Sequence, residues 1–308
     1  MVSPKVSVVM ITYNHEEYIA DAINGVLNQI CDFSIELIIA NDCSQDKTDE
    51  VVRAFSNHPN YHWIKYTRHT KNKGMMANFV WALNQASGNY IALCEGDDYW
   101  TDWKKLKRQI NFLDENREYS GVFHNVEQRW NTVDRSELYL KHGDYSLTKS
   151  IKISDIIGHN IVPTCSLVCR FDVIQHWLDK LPWLKFNYAD WIIVLLLARE
   201  KPLYYQPSIS ATRLMNENSV WGMRSDLFQI NKTIETRRII HSLGLIPTEC
   251  LEEFNAYNQK LLIKKYQIKN IEIIYFFKRI LRRIIRILDQ INYFFKKVKL
   301  ACGRHQKH

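Results

Sequence analysis

The sequence contains no uninterrupted apolar stretch of the roughly 20 residues that a membrane-spanning helix needs. Its seven cysteines, at positions 31, 43, 94, 165, 169, 250 and 302, include no CxxC pair and no zinc-finger spacing. An odd set of thiols without pattern excludes a closed disulfide framework and fits reduced cysteines in a cytosolic protein. The first residues, Met1 to Val6, enter a strand-like run without a charged segment followed by a long apolar one. No signal peptide is therefore expected, and the chain is read as cytoplasmic. Thr12-Tyr13-Asn14-His15-Glu16 closes the first apolar run without the glycine-rich, basic phosphate loop that a nucleotidyltransferase would carry.

Positive charge is also missing from most of the chain, although the net charge is +8. The segment from Lys264 to His308 holds 13 Lys/Arg and 2 Asp/Glu, and everything before it holds 28 basic and 31 acidic residues. The globular part is not basic, so no nucleic-acid partner is expected. What remains, 46% apolar and 24% charged, suits a folded core in a chain of 308 residues, long enough for one large α/β domain or two modest ones.

Strand-like and helix-like runs alternate from the start. Val6–Ile11 is rich in β-branched residues, and Glu16–Asn28 carries Tyr18, Ile19, Ala22, Ile23, Val26 and Leu27 at helical spacing. Ile35–Ala40 predicts a second buried strand, and Thr48–Phe55 a helix that Ser44 or Asp46 can cap. A third strand over Tyr61–Tyr66, a helix over Met75–Ala86 and a fourth strand over Tyr90–Leu93 complete the series. Such alternation predicts an α/β fold with a mostly parallel sheet covered by helices on both faces. Ligands of such sheets bind beyond the carboxyl ends of the strands, where Thr12, Asp42 and Asp97/Asp98 all fall.

The fourth strand ends in Glu95-Gly96-Asp97-Asp98-Tyr99-Trp100, three carboxylates in four positions. Clustered acids repel unless a cation neutralises them, and Mg²⁺ or Mn²⁺ held by one or two carboxylates plus phosphate oxygens is the usual solution. A solvated acidic turn is the plainer alternative. Downstream, Asp102–Asn116 predicts a helix whose Lys104, Lys105, Lys107 and Arg108 form a solvated basic face. Val122–His124 predicts a strand, Glu127–Lys149 a polar loop or hairpin, and Trp191–Ala198 a buried helix with Asp190 at its start.

These pieces resemble the inverting, nucleotide-sugar-dependent glycosyltransferases of family 2, which have the GT-A fold. The likeness spans positions 5 to 222 and rests on Val6–Asn14, Ala22–Gln29, Glu36–Ser44, Asn72-Lys73-Gly74, Glu95–Trp100 and Ala189-Asp190-Trp191, in that order. The acid cluster followed by Thr101-Asp102 and Lys105–Gln109 is similar to the branch that builds bacterial surface polysaccharides. The resemblance implies a nucleotide-sugar site made by Thr12, Tyr13, Asn14, Glu16, Asp42, Asn72, Gly74, Asp97, Arg213 and Trp221. Tyr13 would stack on the base and Asp42 accept a uracil N–H, which makes a UDP-sugar the expected donor, with a simple helix cap as the alternative role for Asp42. Asp98 would be the principal ligand of Mn²⁺ or Mg²⁺. Glu95, standing where the family more often has Asp, would reach the metal directly or through water. Asp190 would be the general base, a role compatible with capping its helix. The closing loop Arg213–Gly222 lacks the histidine usual in relatives, leaving Asn216, Glu217 or Arg213 to serve the diphosphate.

The expected domains are a GT-A catalytic domain over 1–222, a helical extension over 223–268 and a basic tail over 269–308. In the tail, positions 274, 277, 281, 284, 288, 291, 295 and 298 are all apolar, spaced alternately by three and four, and Lys278, Arg279, Arg282, Arg283, Arg286, Lys296 and Lys297 flank them. Such a helix suits an anionic membrane surface over residues 270–300, with a coiled coil or a helix packed on the catalytic domain as alternatives. The expected acceptor is a lipid-linked or membrane-proximal glycan. A catalytically inactive scaffold of the same fold is the non-enzymatic alternative, opposed by Asp42, Asp98 and Asp190.

Overall fold

The computed structural model describes residues 4–131, 133–141, 149–215 and 225–270, with 279, 280 and 283. Its first half is a repeated strand–helix unit: β1 (Val6–Thr12), α1 (Ile19–Leu27), β2 (Ile35–Asn41), α2 (Thr48–Arg53), β3 (Ile64–Arg68), α3 (Met75–Asn84) and β4 (Tyr90–Leu93). These strands lie in the order β3-β2-β1-β4, all parallel, with Val8 opposite Leu37 on one side and Ala92 on the other. All seven residues of β2 are buried. A strand covered on both faces needs a continuous apolar run rather than an alternating one, which is why Ile-Glu-Leu-Ile-Ile-Ala-Asn reads as it does. The exception, Glu36, is held by the Ser7 hydroxyl, the Ser87 N–H and Lys65.

The second half continues the sheet with mixed directions. It comprises β5 (Asp98–Trp100), α4 (Lys105–Glu115), β6 (Gly121–Trp130), β7 (Arg135–Leu138), β8 (Ser150–Ile151), α5 (Ile153–Ile156), β9 (Val168–Arg170), α6 (Phe171–Gln175), α7 (Asp190–Glu200), β10 (Leu203–Met215) and α8 (Asp226–Ser242). β9 inserts antiparallel between β4 and β6, β10 runs parallel to β6, and β5 pairs antiparallel with β10. The parallel sheet expected from the alternation is thus the left half of a longer mixed one. The polar stretch after Glu127 is a hairpin of β6 and β7, and the third strand starts at Ile64 because Tyr61–Trp63 form a 3-10 turn.

The two faces carry separate cores. Val8, Met10, Leu37 and Ile39 point to α1 and α4 with Ile23, Leu27, Leu106 and Ile110. Val9, Ile38, Ala40 and Leu93 point to α3 and α7 with Phe79, Leu83, Ile193 and Leu197. Ile240, Leu245, Ile246 and Phe254 join this second core. The first compact unit runs to Tyr257, and a second follows from Asn258. Residues 251–270 are helical, and most of the tail stripe lies outside the described residues.

One expectation fails in α4. Lys105 does not belong to a solvated basic face: it is fully buried, with its Nζ 4.0 Å from the centre of the Trp100 ring and no hydrogen-bond partner. Burial pushes its pKa down to about 7, so a side chain that is ordinarily a fixed cation sits near neutrality behind the site.

Candidate active site

The carboxyl ends of β1, β2 and β4 bring three loops together. After β1, Asn14 takes positive φ; its N–H donates to Ser44 Oγ (2.9 Å) and its Oδ1 accepts from Gln45 N–H (2.8 Å). Glu16 Oε2 accepts from Lys47 N–H, and Asp46 Oδ2 accepts from Glu16 N–H. Both residues expected to meet the nucleotide sugar therefore also stitch the β1 loop to the β2 loop. Thr12 is buried with no hydrogen-bond partner for its hydroxyl, and Tyr13 beside it is 44% exposed, an aromatic face at the mouth of the crevice.

Asp42 is not a cap of α2, whose first N–H, that of Thr48, donates to Asp46 Oδ1. The Asp42 carboxylate instead accepts from Lys73 N–H (2.7 Å) and Gly74 N–H (2.9 Å), while Asn72 Oδ1 also accepts from Gly74 N–H. Asp42, Asn72 and Gly74 come together as expected, with the carboxylate fixing the loop that Gly74 turns at φ 85°. Each carboxylate oxygen keeps a second lone pair for a ligand. Asp42→Asn is expected to place an NH₂ against a backbone N–H. Denaturant titration should show a loss of about 1–2 kcal/mol, from the charge-assisted bond to the loop amide gone.

The acid cluster follows β4. Gly96 is required by space, since a Cβ there would stand 2.9 Å from the Thr12 side chain. Asp97 faces His15 Nε2 at 3.9 Å. Asp98, 4% exposed, accepts from Leu214 N–H (3.0 Å), and its register partner across β5 and β10 is Arg213. Burial, then the Asp97 charge, pushes the Asp98 carboxyl up to about 7, against the pull of Arg213 and the Leu214 N–H. Glu95 is raised well above the carboxylate range by burial and by Asp98, Asp97 and Asp190, with Arg213 again opposing. Burial pushes the Arg213 guanidinium down, but Asp98, Tyr139 and Glu95 more than offset this and hold it above its ordinary value. Its centre lies 5.8 Å from that of the Tyr139 ring.

Asp190 opens α7 and faces the same cluster. Its Oδ2 accepts from Asn160 Nδ2 (3.1 Å), and its Oδ1 is buried without a hydrogen-bond partner. Burial raises its pKa, against the Trp191 N–H at the start of α7, the Arg213 charge and the Asn160 donor. A carboxylate with one oxygen anchored and the other without a hydrogen-bond partner has the chemistry to accept a proton. Trp221, Asn216 and Glu217 lie outside the described residues.

The sequence reading missed Asn160, His15 and the Leu214 N–H. His15 stood inside a quoted run and needed only a three-dimensional neighbour to be noticed. Asn160 gave no signal, because nothing local links it to a carboxylate 30 positions on. Among the described residues, no three His, Cys, Asp or Glu side chains converge closely enough to hold a metal ion by themselves. Cys31, Cys43, Cys94, Cys165, Cys169 and Cys250 are free thiols. A cleft of about 470 Å³ beside Leu214, lined by Tyr18, Tyr99 and Trp130, flanks the acid cluster without enclosing it, so the carboxylates rather than the cleft mark the chemistry.

An α/β sheet with polar loops gathered at its carboxyl edge, an acid cluster faced by an arginine and a carboxylate at a helix start together define a transferase of the GT-A fold. Residues 7–176 match the glycosyl transferase family 2 description, and the chain belongs to that family. An uncharacterized protein of Mycobacterium tuberculosis is 35% identical over 215 residues, 70% of this chain and 60% of that protein. The poly(ribitol-phosphate) beta-N-acetylglucosaminyltransferase TarS of Staphylococcus aureus is 32% identical over 114 residues, 36% of this chain and 19% of TarS. This chain thus spans about 60% of the length of the mycobacterial relative and far less of TarS. The crystal structure of TarS 1-349 in complex with UDP-GlcNAc superposes with a TM-score of 0.64 at 19% identity, covering 84% of this chain and 71% of that one. The mannosyltransferase PcManGT from Pyrobaculum calidifontis, in complex with GDP-Man and Mn²⁺, gives 0.58 at 14% identity, covering 85% and 70%. At such identities these superpositions establish the fold alone.

Proposed function

We propose that the protein transfers one sugar, with inversion, from a nucleotide diphosphate sugar of the UDP type to a hydroxyl of a lipid-linked or membrane-proximal glycan in surface polysaccharide synthesis. The observation that carries the reading is the facing arrangement of Glu95, Asp97 and Asp98 with Arg213 on one side and the unengaged Asp190 Oδ1 on the other. Tyr13 stacks on the base, and the spare lone pairs of Asp42 accept the imide N–H that uracil offers. Thr12, Asn14, Glu16, Asn72 and Gly74 shape that pocket, Asp97 meets the ribose or sugar, and Trp221, outside the described residues, is assigned to the same nucleotide-sugar site. That TarS was solved with UDP-GlcNAc supports the choice of base, whereas GDP-Man in the mannosyltransferase is the competing case.

In the reaction, the acceptor O–H proton passes to Asp190 Oδ1 as the acceptor oxygen attacks the anomeric carbon from the face opposite the diphosphate. The anomeric C–O bond breaks, and its electron pair goes to the leaving phosphate oxygen, opposite the Arg213 guanidinium. Carboxylates pushed toward their neutral forms by burial and mutual repulsion suit a site that gains a cation with its ligand. Asp98, with Glu95 directly or through water, would hold Mn²⁺ or Mg²⁺, which would supply charge neutralisation on the diphosphate.

A panel of nucleotide sugars tested with Mn²⁺ and Mg²⁺ for slow donor hydrolysis and thermal protection decides the donor. Protection by UDP-sugars that needs a divalent ion supports the reading; protection by none, or by GDP-sugars alone, removes it.

No helix of the described residues is long and apolar enough to cross a membrane. We place the tail at the membrane interface, on the inner face of the cell membrane. Each cation near an anionic surface contributes on the order of 1 kcal/mol, weakened by salt. Deleting residues 269–308 is expected to move the protein from membrane to soluble fraction and to cut transfer to a lipid-linked acceptor, while donor hydrolysis persists. A full-length dimer that truncation turns into a monomer, with no retention on anionic liposomes, would establish the coiled coil instead.

A further inference from the structure

Arg237 lies in the middle of α8, 1% exposed, among the largest fully buried side chains of the protein. Its guanidinium donates to the carbonyls of Ile157 (2.6 Å), Gly158 (3.1 Å) and Phe254 (2.7 Å). Its centre stands 3.9 Å from that of the Phe254 ring, 5.4 Å from Trp191 and 5.9 Å from Tyr257. Two of these contacts lead straight to the carboxylate read above as the base. Ile157 and Gly158 begin the loop that carries Asn160, whose amide holds Asp190 Oδ2, and Trp191 is the next residue of α7. The Trp191 indole N–H also ties back to the Ile156 carbonyl (2.9 Å). From the other side the Tyr257 ring presses on the same loop so closely that a Cβ on Gly158 would stand 2.3 Å from it.

A fully buried guanidinium is costly to desolvate, and a planar fork serving three carbonyls at once is a geometry that neither lysine nor an uncharged side chain reproduces. Packing alone would be met by an apolar residue at lower cost. We propose that Arg237 is a positioning residue for Asp190: by clamping residues 157–158 against the helical residues 254–257, it sets Asn160 at the distance from which it anchors one oxygen of Asp190 and leaves the other open. The inference rests on Asp190 being the base for its catalytic meaning, and on the hydrogen-bond geometry alone for the clamp.

The test reads the Asn160 side-chain amide directly. In ¹⁵N-labelled full-length protein its NH₂ signals are assigned by their loss in Asn160→Ala, and the signal position without the carboxylate by Asp190→Ala. Arg237→Lys is expected to move the Asn160 signals toward the Asp190→Ala position. The buried amides of Asn78 and Asn125, bonded to the Ala40 and Leu140 carbonyls, should stay put and report an intact fold. Gly158→Ala, which displaces the same loop from the Tyr257 side, should move the Asn160 signals too and serves if Arg237→Lys does not fold. With the donor identified above, either variant should lower kcat about tenfold at unchanged donor KM. Asn160 signals unmoved in a folded Arg237→Lys or Gly158→Ala protein would overturn the clamp. Moved signals, with Asp190→Asn still transferring sugar at the wild-type rate, would leave the clamp standing and remove the base.

Discussion

Asp190→Asn is expected to lower kcat for sugar transfer by roughly 10² or more, with donor affinity and thermal stability little changed. Asparagine keeps the size of the side chain, its place at the first turn of α7 and an oxygen for the Asn160 amide, but it cannot accept the proton of the acceptor hydroxyl. The same assignment fixes the pH dependence. A base must be ionised to act, and burial raises the Asp190 pKa, so kcat should rise with pH through that raised value and level off above it. The acid limb should stand above the ordinary carboxylate range and disappear in the variant. Progress curves across pH measure this. A variant within threefold of the wild type would show that Asp190 only starts its helix, and an unfolded variant would show that its role is structural.

Replacing Asp98 should separate stability from function. In the ligand-free protein its carboxyl titrates near 7, well above the roughly 3.9 of an unfolded chain. The sign follows: a raised acid pKa means that the native state holds the extra proton, so stability contributed by the neutral form is lost as pH rises from about 4 through 7. Asp98→Asn keeps an acceptor for the Leu214 N–H without the charge. It should therefore be more stable than the wild type at pH 8 without divalent ions, by on the order of 2–4 kcal/mol at most, and indistinguishable below about pH 4. Transfer and metal-dependent nucleotide binding should both be lost, because the carboxylate shared with the diphosphate is gone. Melting curves from pH 4 to 8, with and without Mn²⁺ and UDP, read both effects together. A variant less stable at pH 8, or one that still binds UDP in a Mn²⁺-dependent way, would refute the assignment.

Strong patterns carried most of the fold into the sequence. The runs at β1, β2 and β4 are continuous because parallel strands are buried on both faces, and the helices between them show one apolar side because only one side meets the sheet. The second half was less legible. β5 has three residues and β9 has three, too short for periodicity, and each exists because β10 and β4 offer it an edge. Lys105 deceived for a similar reason: its neighbours Lys104, Lys107 and Arg108 are basic, and nothing local says that its own turn of α4 faces Trp100.

The sequence by itself determined the order of the elements through β4, the acidic motif after β4 and the carboxylate at the head of α7, because these depend on residue type and on spacing along the chain. Tertiary structure alone decided which groups meet: Arg213 opposite Asp98 through strand register, Asp42 clasping the 73–74 amides, Asn160 anchoring Asp190, and Arg237 of α8 donating to the Ile157 carbonyl. Each of these pairs spans 30 or more positions of chain. Their proximity is set by packing and register, which residue spacing along one sequence does not encode.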